Sequence, residues 1–367
     1  MNIEQSGSFV YIVNLYTRVC VVDFSGFICS VMQLFFKRCW RITATIVLLT
    51  VFIPTTFATT LNVVTSLSQS DPMYQGLLHF KQSVEAATRQ AVQVRIFVGS
   101  QLGNDNDVLE QAMAGAPVAV LVDAGRLSFY QHEIGILSAP YLIDDFGQLD
   151  LLVKSPMFTR WADELSANAG IKILGFNWWQ GERHILTNQP VHTPEDLKGI
   201  RLRTIGAPVW ISTIGAMGAT PTPLSWAEVY SGLQQRVIDG AEAQHAGTYG
   251  ARLYEVIRFI NKTRHIHLIS GLVASQSWFD RLSSEHQMIV QQSALDAGAF
   301  ATALVKAQQL DIENELVTSG IQLIEPDIDA FKHATETVYE ELGYQGLHQK
   351  IQRYLAEHAH RLPVEVK

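Results

Sequence analysis

From residue 61 onward, segments with the apolar spacing of strands alternate with segments that have the spacing of helices. Residues 61–65 and 92–98 have a strand-like pattern, and the apolar residues of 73–88 recur at helical intervals. A second unit follows, with a helical stretch at 106–114 and a buried strand at 118–122. Strands that alternate with helices predict an α/β fold, in which the strands pair in parallel through right-handed crossovers.

The second half of the chain continues this alternation. We expect strands at 171–176 and 200–204, and a strand at 263–269 that passes between two lobes. A capping box at 225–228, with serine first and glutamate fourth, predicts a helix that begins there and ends at about residue 236.

One long helix is predicted after Ser283. The stretch from there to Thr318 lacks proline and has many apolar residues, so an unbroken helix would be about 50 Å long. That length exceeds one small domain, so the helix must bridge two lobes. Residues 327–358 are expected to add further helix. In a two-lobed α/β protein the natural ligand site is the cleft between the lobes.

The amino-terminal region has the pattern of a secretory signal. Three basic residues within 37–41 precede an uncharged apolar stretch at 42–53, and small residues follow up to Ala58. We therefore assign 1–58 to an amino-terminal extension and a cleavable signal peptide, with Met32 as a possible start. The alternative is an anchoring helix, which needs ~20 apolar residues to cross a bilayer.

Cysteine positions and net charge exclude several classes of protein. All three cysteines, Cys20, Cys29 and Cys39, precede Ala58, so the remaining chain cannot form a disulfide framework or a cysteine metal site. A secreted chain without thiols suits the oxidising periplasm. The net charge is −8 and no basic run is present, so the attraction that drives nucleic-acid binding has no source.

No common catalytic motif occurs in the sequence. It lacks a nucleophile elbow, a zinc-protease motif, a phosphate-binding loop and a cysteine nucleophile beyond residue 58. His265 and His267 would share one face of a strand and could ligate a metal with a third partner. Because no further ligand has a suitable spacing, we interpret them as surface or hinge histidines and predict neither a metal nor a cofactor.

Arginines and tryptophans are the candidate binding residues. The guanidinium fork matches a carboxylate with two parallel hydrogen bonds. Arg201 and Arg203 share one face of an alternating strand, opposite Leu202. A solvated, salt-bridged arginine is the simpler interpretation for either. Trp178, Trp179 and Trp226 lie near arginines in sequence and could form a flat apolar wall, although core packing explains them equally well.

Three motifs resemble one family of binding proteins. LKGIRLRT at 197–204, GATPTPLSWAEVYSGLQ at 218–234 and VIDGAE at 237–242 resemble the extracytoplasmic solute-binding proteins of tripartite ATP-independent periplasmic (TRAP) transporters. The resemblance extends over roughly residues 61–350. Shorter upstream motifs are similar to the same family in the same order, at 99–104, 107–111 and 138–142.

The resemblance implies a two-lobed α/β periplasmic binding protein fold, with a long helix that spans both lobes and a cleft that closes around the ligand. We assign 59–180 and 269–308 to lobe I, and 181–268 and 309–367, with the carboxyl-terminal helices, to lobe II. The implied partners are a small organic acid and the TRAP membrane permease subunits, and the implied location is the periplasm.

The resemblance also implies roles for individual residues. Arg203 would form the main salt bridge to the ligand carboxylate, Arg183 would assist, and Trp226 would pack on the ligand body. Similarity to sialic-acid-binding members would bring further polar residues to the cleft, and the aromatic residues before Arg183 favour a ring-bearing sugar acid or aromatic acid. The predicted ligand-binding residues are Arg203, Arg183, Trp226, Glu242, Asp123, Arg126, Asn104, Trp179 and Gln180.

The sequence differs from the family pattern at one position, and two alternative functions fit the same features. Family members often have asparagine after the glutamate of the DGxE motif, whereas this chain has Ala243, which argues against a sialic-acid-like ligand. A ligand-sensing module for a membrane kinase would have the same binding features. A periplasmic hydrolase that uses a histidine with a carboxylate is the enzymatic alternative.

Overall fold

A computed structural model describes residues 58–358, which contain two β-sheets and the helices around them. The predicted signal peptide and the possible start at Met32 lie outside the described residues. In chain order, the strands are β1 (Thr59–Val64), β2 (Val92–Phe97), β3 (Val118–Asp123), β4 (Ile171–Glu182), β5 (His184–Thr187), β6 (Arg201–Thr204), β7 (Thr220–Pro223), β8 (Gly240–Ala243), β9 (Phe259–Asn261), β10 (His267–Ser275) and β11 (Gln322–Ile324).

The α-helices surround these sheets, and four short 3₁₀ segments lie between them. In chain order, the α-helices are α1 (Pro72–Ala87), α2 (Asp105–Met113), α3 (Ala124–Leu127), α4 (Phe146–Val153), α5 (Pro156–Ala169), α6 (Pro208–Ala216), α7 (Val229–Gln234), α8 (His245–Gly250), α9 (Gln276–Asp280), α10 (Ser284–Thr318), α11 (Ile328–Thr335), α12 (Thr337–Glu341) and α13 (Gln345–His358). The 3₁₀ segments are His132–Ser138, Pro194–Leu197, Trp226–Glu228 and Leu253–Glu255.

The first sheet has the strand order β2-β1-β3-β10-β4. β1 pairs in parallel with β2 and β3, as the strand–helix alternation predicts. β10 is antiparallel to both of its neighbours, so the sheet is mixed. The alternation of strands and helices does not reveal this antiparallel pairing, because β10 enters the sheet from the other lobe.

The second sheet has the order β11-β9-β5-β8-β6-β7. β6 and β8 are parallel, and Arg203 is opposite Ala241 in their register. β5 and β8 are antiparallel, with Ile185 opposite Glu242. These pairings place the arginine of β6 and the glutamate of β8 on adjacent strands.

The chain crosses between the sheets where β4 leads into β5 and where β9 leads into β10. The strand predicted at 263–269 is wrong at its start, because β10 begins only at His267. Arg264 has a φ of 47°, which is incompatible with an extended strand. The helix predicted after the capping box also differs: a 3₁₀ turn leads into α7, and Arg236, with a φ of 59°, lies just beyond its end.

The long helix is confirmed as α10, 35 residues from Ser284 to Thr318, with Ser283 accepting a hydrogen bond from the backbone of His286. It is long and apolar enough to cross a membrane by length and composition. Here it packs against β4 and α1 at one end and α8 at the other. Small residues allow this close approach: a Cβ at Gly298 would lie 2.3 Å from the side-chain oxygen of Asn177.

The last two helices, α12 and α13, pack differently from the predicted assignment of 309–367 to lobe II, whereas Phe331 of α11 packs against the second sheet. Tyr339, Tyr344, Ile351 and Leu355 belong to the apolar core of the first sheet. The Tyr344 hydroxyl donates to the backbone oxygen of His132, at 2.8 Å. An amphipathic pattern shows that a helix has a buried face, but not which lobe that face meets, so this part of the assignment was wrong.

Candidate ligand-binding site

Side chains from both sheets line a cavity of about 50 Å³. The first sheet contributes Gln180 from β4 and Ser270 from β10, and the second contributes Arg203 from β6. The cavity therefore lies between the two lobes, where the fold predicts a ligand site. Its lining consists of Ser66, Leu67, Asp105, Leu121, Asp123, Arg126, Gln180, Arg183, Arg203, Ile205, Trp226, Gln244, Leu268 and Ser270.

Arg203 is the most deeply buried cation of the site, with 1% of its surface exposed. Its Nε donates to the backbone oxygen of Leu224 at 2.9 Å, and its guanidinium lies 5.3 Å from the ring centroid of Trp226. Its Nη1 lies 3.9 Å from Glu242 Oε1 and has no hydrogen-bond partner among the described residues. Arg203 therefore retains an unused donor.

Burial makes the charged form of Arg203 less favourable than it would be in water. Burial away from water, together with the nearby cations Arg183 and Arg126, lowers its pKa to about 9, although Glu242 opposes the shift. The group is still cationic at neutral pH. A buried charge without a close counter-ion is unfavourable by several kcal/mol, on the order of the effective desolvation penalty per ion, so an anion placed against it would be strongly stabilised.

Arg201, the other arginine of the same strand, has a different environment. Its side chain is 46% exposed, and its Nε donates to Asp239 Oδ2 at 2.8 Å. The solvated, salt-bridged interpretation describes this residue. Arg203 differs because it lies beside Ala241 of β8 in the interior of the sheet, where a small neighbour leaves room for a long side chain.

Arg183, between β4 and β5, already has partners for its guanidinium. Its Nε and Nη2 donate to the side chain and the backbone oxygen of Glu242, and its Nη1 donates to Gln244 Oε1 at 3.1 Å. The guanidinium also lies 5.0 Å from the ring centroid of Trp210. Glu242 does not line the cavity itself, but its carboxylate lies behind it and neutralises Arg183.

Arg126 is likewise paired, on the first-sheet side of the cavity. Its Nη2 lies 3.3 Å from Asp105 Oδ2, and its Nη1 contacts the carboxylate of Asp123, which also caps the short helix α3. Burial opposes ionisation of Asp123, but Arg126 holds the pKa of this carboxyl below its ordinary value. Burial raises the pKa of Asp105, and Arg126 opposes that shift.

Two amides and a hydroxyl form a chain of hydrogen bonds beside the cavity, in which the bond between Gln244 and Gln180 connects the lobes. Gln180 Nε2 donates to Ser270 Oγ at 2.6 Å, and Gln244 Nε2 donates to Gln180 Oε1 at 3.1 Å. Each amide nitrogen retains a second hydrogen that can point into the cavity. Sequence reasoning missed Gln244 and Ser270. Gln244 lies two residues after Glu242, the last residue of the DGxE motif, and that position could have indicated it.

The structure brings most of the predicted residues together, and it separates three from the cavity. Arg203, Arg183, Trp226, Asp123, Arg126 and Gln180 line it. Glu242 lies behind the arginines. Asn104 borders an adjoining opening of about 330 Å³, and its side chain caps α2. Trp179 is turned away and packs beside Phe146, with ring centroids 5.6 Å apart.

The histidines noted in the sequence lie near the crossings between lobes. His265 is fully buried, and its Nδ1 lies 2.8 Å from Thr263 Oγ1. Burial lowers the pKa of His265 to about 3, and Arg183 adds to the shift, so the ring is neutral at ordinary pH. Within residues 58–358 no three histidine, cysteine or carboxylate side chains are arranged to hold a metal ion.

The family model for bacterial extracellular solute-binding protein, family 7, matches residues 63–360. The chain belongs to this family. The sialic acid-binding periplasmic protein of Vibrio cholerae is 27% identical over 301 residues, which are 82% of this chain and 94% of that protein. The recognition of the family from the sequence motifs is confirmed.

Two solved structures of TRAP periplasmic solute-binding proteins match the fold of this family member. An apo open structure from Escherichia fergusonii has 40% sequence identity and a TM-score of 0.71, and the match covers 81% of this chain and 100% of that chain. A structure from Ochrobacterium anthropi with bound L-fuconate has 30% identity and a TM-score of 0.79, and the match covers 81% and 99%. The predicted two-lobed α/β fold is therefore confirmed.

Proposed function

We propose that this solute-binding protein captures a sugar acid in the cavity between its lobes and delivers it to a TRAP membrane permease. The observation that carries the proposal is Arg203, a buried cation that lines the cavity and has an unused donor. The proposed location is the periplasm, which the family description as extracellular and the predicted signal sequence support.

A single carboxylate fits the charges of the site. Arg183 and Arg126 are each neutralised by direct contact with a carboxylate of this chain, whereas the nearest carboxylate oxygen to Arg203 is 3.9 Å away. A ligand carboxylate can therefore form with Arg203 the short, charge-assisted hydrogen bonds that Glu242 does not form. A second carboxylate would meet Asp105 and Asp123 and would be repelled.

Hydroxyl groups fit the remaining polar surface. The amide hydrogens of Gln180 and Gln244 can donate to them, and the carboxylate of Asp105 can accept from them. The Vibrio cholerae relative is named for sialic acid and the Ochrobacterium anthropi structure holds L-fuconate, and both ligands are hydroxylated carboxylates. An aromatic acid has less support, because the predicted wall at Trp178 and Trp179 lies in the protein core.

The lobes must separate for such a ligand to enter. Arg203, which would meet the ligand carboxylate, is only 1% exposed in this arrangement, so a sugar acid cannot reach it from solvent while the lobes stay closed. The chain also resembles the L-fuconate-bound structure more closely than the apo open one, although its sequence is closer to the latter. Both observations support a cleft that opens and closes. The ligand would bind the closed form more tightly than the open form and would therefore shift the molecule towards closure.

A thermal-shift screen of residues 58–367 tests the proposal. The panel contains aldonates, uronates, sialic acid, benzoates, four-carbon dicarboxylates and the uncharged sugars that match the acids. We expect a sugar acid to raise the melting temperature through linkage and its uncharged counterpart to leave it unchanged. A uniquely strong response to an uncharged sugar or to a dicarboxylate would overturn the role of Arg203 as the carboxylate site.

A further inference from the structure

The adjoining opening that Asn104 borders lies, like the inner cavity, between the two lobes. The first lobe contributes Asn106 of α2, and the second contributes Gly206 and Glu228, which follow β6 and β7. These three residues are exposed, so the opening communicates with solvent. Its volume is about 330 Å³, against about 50 Å³ for the inner cavity. The closed arrangement therefore leaves a large space beside the anion site.

The opening and the inner cavity are continuous along shared residues. Ser66, Asp105, Arg126 and Trp226 line both of them, whereas Arg203 lines only the inner cavity. A ligand whose carboxylate binds Arg203 can therefore extend past Asp105 and Trp226 into the opening. Trp226 is half-buried, so its ring is available to such a ligand as an apolar wall.

The charges of the opening select against a second anionic group. Asp105 and Glu228 line it, and the cation among its described lining residues, Arg126, already contacts Asp105 and Asp123. A phosphate or a second carboxylate would therefore be repelled. An uncharged hydroxylated group fits, because its hydroxyls can donate to the carboxylates and accept from the amide of Asn106.

We propose that the opening receives an uncharged sugar substituent, so that the protein binds disaccharide acids as well as monosaccharide acids. The inference rests on the proposed function, because it requires the ligand carboxylate to bind Arg203. The acid part of the ligand fills the enclosed cavity, and the sugar linked to it occupies the opening. Such a ligand needs no wider separation of the closed lobes than a monosaccharide acid does.

Gly206 allows the opening to be narrowed without a change at the inner cavity. Its φ is not positive, and a Cβ there would meet only Pro223 among the described residues, at 3.4 Å. Both residues line the opening, and neither lines the inner cavity. Gly206→Leu therefore adds a side chain to the wall of the opening and leaves the contacts of Arg203 in place.

Isothermal titration calorimetry tests the inference. Gluconate, galactonate and L-fuconate are the monosaccharide acids, and lactobionate, maltobionate and cellobionate are the disaccharide acids. At least one disaccharide acid is expected to bind the parent protein. Gly206→Leu should weaken its binding about ten- to a hundredfold, because the added side chain overpacks the filled opening. The affinity for a monosaccharide acid should change by less than about threefold.

Gly215→Leu is the matched control. Gly215 is exposed on α6, lines neither space, and has no neighbour within 4 Å of an added Cβ among the described residues. This variant should bind both classes of acid as the parent does. Binding of monosaccharide acids alone, or equal losses for both classes in Gly206→Leu, would overturn the inference but not the proposed function. If none of the acids binds, the proposed function fails, and this inference fails with it.

Discussion

The Glu242 carboxylate lies outside the cavity and interacts with the two arginines that line its cationic side. It is fully buried, accepts hydrogen bonds from Arg183 and Thr204, and lies 3.9 Å from Arg203. The carboxylate contacts Arg183 directly but forms no hydrogen bond with Arg203, so the two arginines differ in the donors that they have left. Arg183 is held in place by this chain, whereas Arg203 is left with capacity for a ligand.

Arg203→Lys should bind a sugar acid much more weakly than the parent, although it keeps the positive charge. An ammonium cannot reproduce the planar fork that holds both carboxylate oxygens. Arg203→Ala should cost about 2 to 5 kcal/mol of binding free energy, because the carboxylate would be left buried and unpaired. Isothermal titration calorimetry measures both. Arg201→Lys is the control, and an equal loss of affinity in that variant would contradict the assignment.

Glu242→Gln should destabilise the whole domain, because it leaves Arg183 as a buried cation without its counter-ion. Removal of one partner of a buried ion pair typically costs about 3 to 5 kcal/mol. Urea unfolding followed by circular dichroism measures the change. Glu255→Gln, whose carboxylate bonds Arg252 and Tyr230 at the surface, should have a smaller effect. Equal losses would show that Glu242 is not a structural counter-ion.

At the residue scale, the motifs correctly indicated that Arg203, Arg183 and Trp226 lie close together, because the family pattern assigns each of them to a particular strand or turn. The motifs did not show that the Trp179 side chain lies outside the cavity. Strand alternation says only that adjacent residues face opposite ways, and Gln180 takes the cavity side. Ser270 escaped notice because β10 joins the sheet from the other lobe.

At the element scale, helix ends are well determined by local chemistry. Asp71 caps α1, and its Oδ1 accepts from the backbone of Met73 at 2.9 Å. Ser283 caps α10 in the same way. Such signals are read directly from the sequence, and they placed the long helix within one residue. The breaks at Arg236 and Arg264 were missed, because a non-glycine residue with a positive φ has no reliable signature.

The cap of α1 should make stability depend on pH. Asp71 is 3% exposed, and burial raises its pKa from 3.8 to about 6, against the opposing hydrogen bond from Met73. Between pH 4 and 6 the folded state therefore binds more protons than the unfolded state. The free energy of unfolding contributed by this group decreases as pH rises through that window, by about 2 to 3 kcal/mol in all.

Asp71→Asn keeps the cap acceptor and removes the titration. We expect the variant to match the parent near pH 3.5 and to exceed it in stability at pH 7.5, as measured by urea unfolding at both values. Asp327→Asn, at the exposed cap of α11, is the control for replacement of a cap carboxylate by an amide. If the difference between parent and Asp71→Asn is the same at both pH values, the carboxyl does not titrate in this window.

At the scale of the whole molecule, closure depends on contacts that connect the two lobes. Trp210, on α6 beside the second sheet, donates from its Nε1 to Asp123 Oδ1 on the first sheet at 3.0 Å. The same ring packs on Arg183. Gly125 makes room for it, since a Cβ there would lie 2.2 Å from the indole nitrogen. Trp210 therefore connects Arg183 of one lobe to a carboxylate of the other.

Trp210→Phe should shift the molecule towards an open arrangement while it keeps most of the aromatic packing. A hydrogen bond to a charged group contributes about 1.5 to 3 kcal/mol, so the ratio of closed to open molecules should fall by roughly ten- to a hundredfold. Small-angle X-ray scattering should show a larger radius of gyration, and sugar-acid affinity should fall because part of the binding free energy must then close the cleft. Trp278→Phe, in the core of the first sheet, is the control. If its scattering curve and affinity change as much as those of Trp210→Phe, the bond to Asp123 does not govern closure.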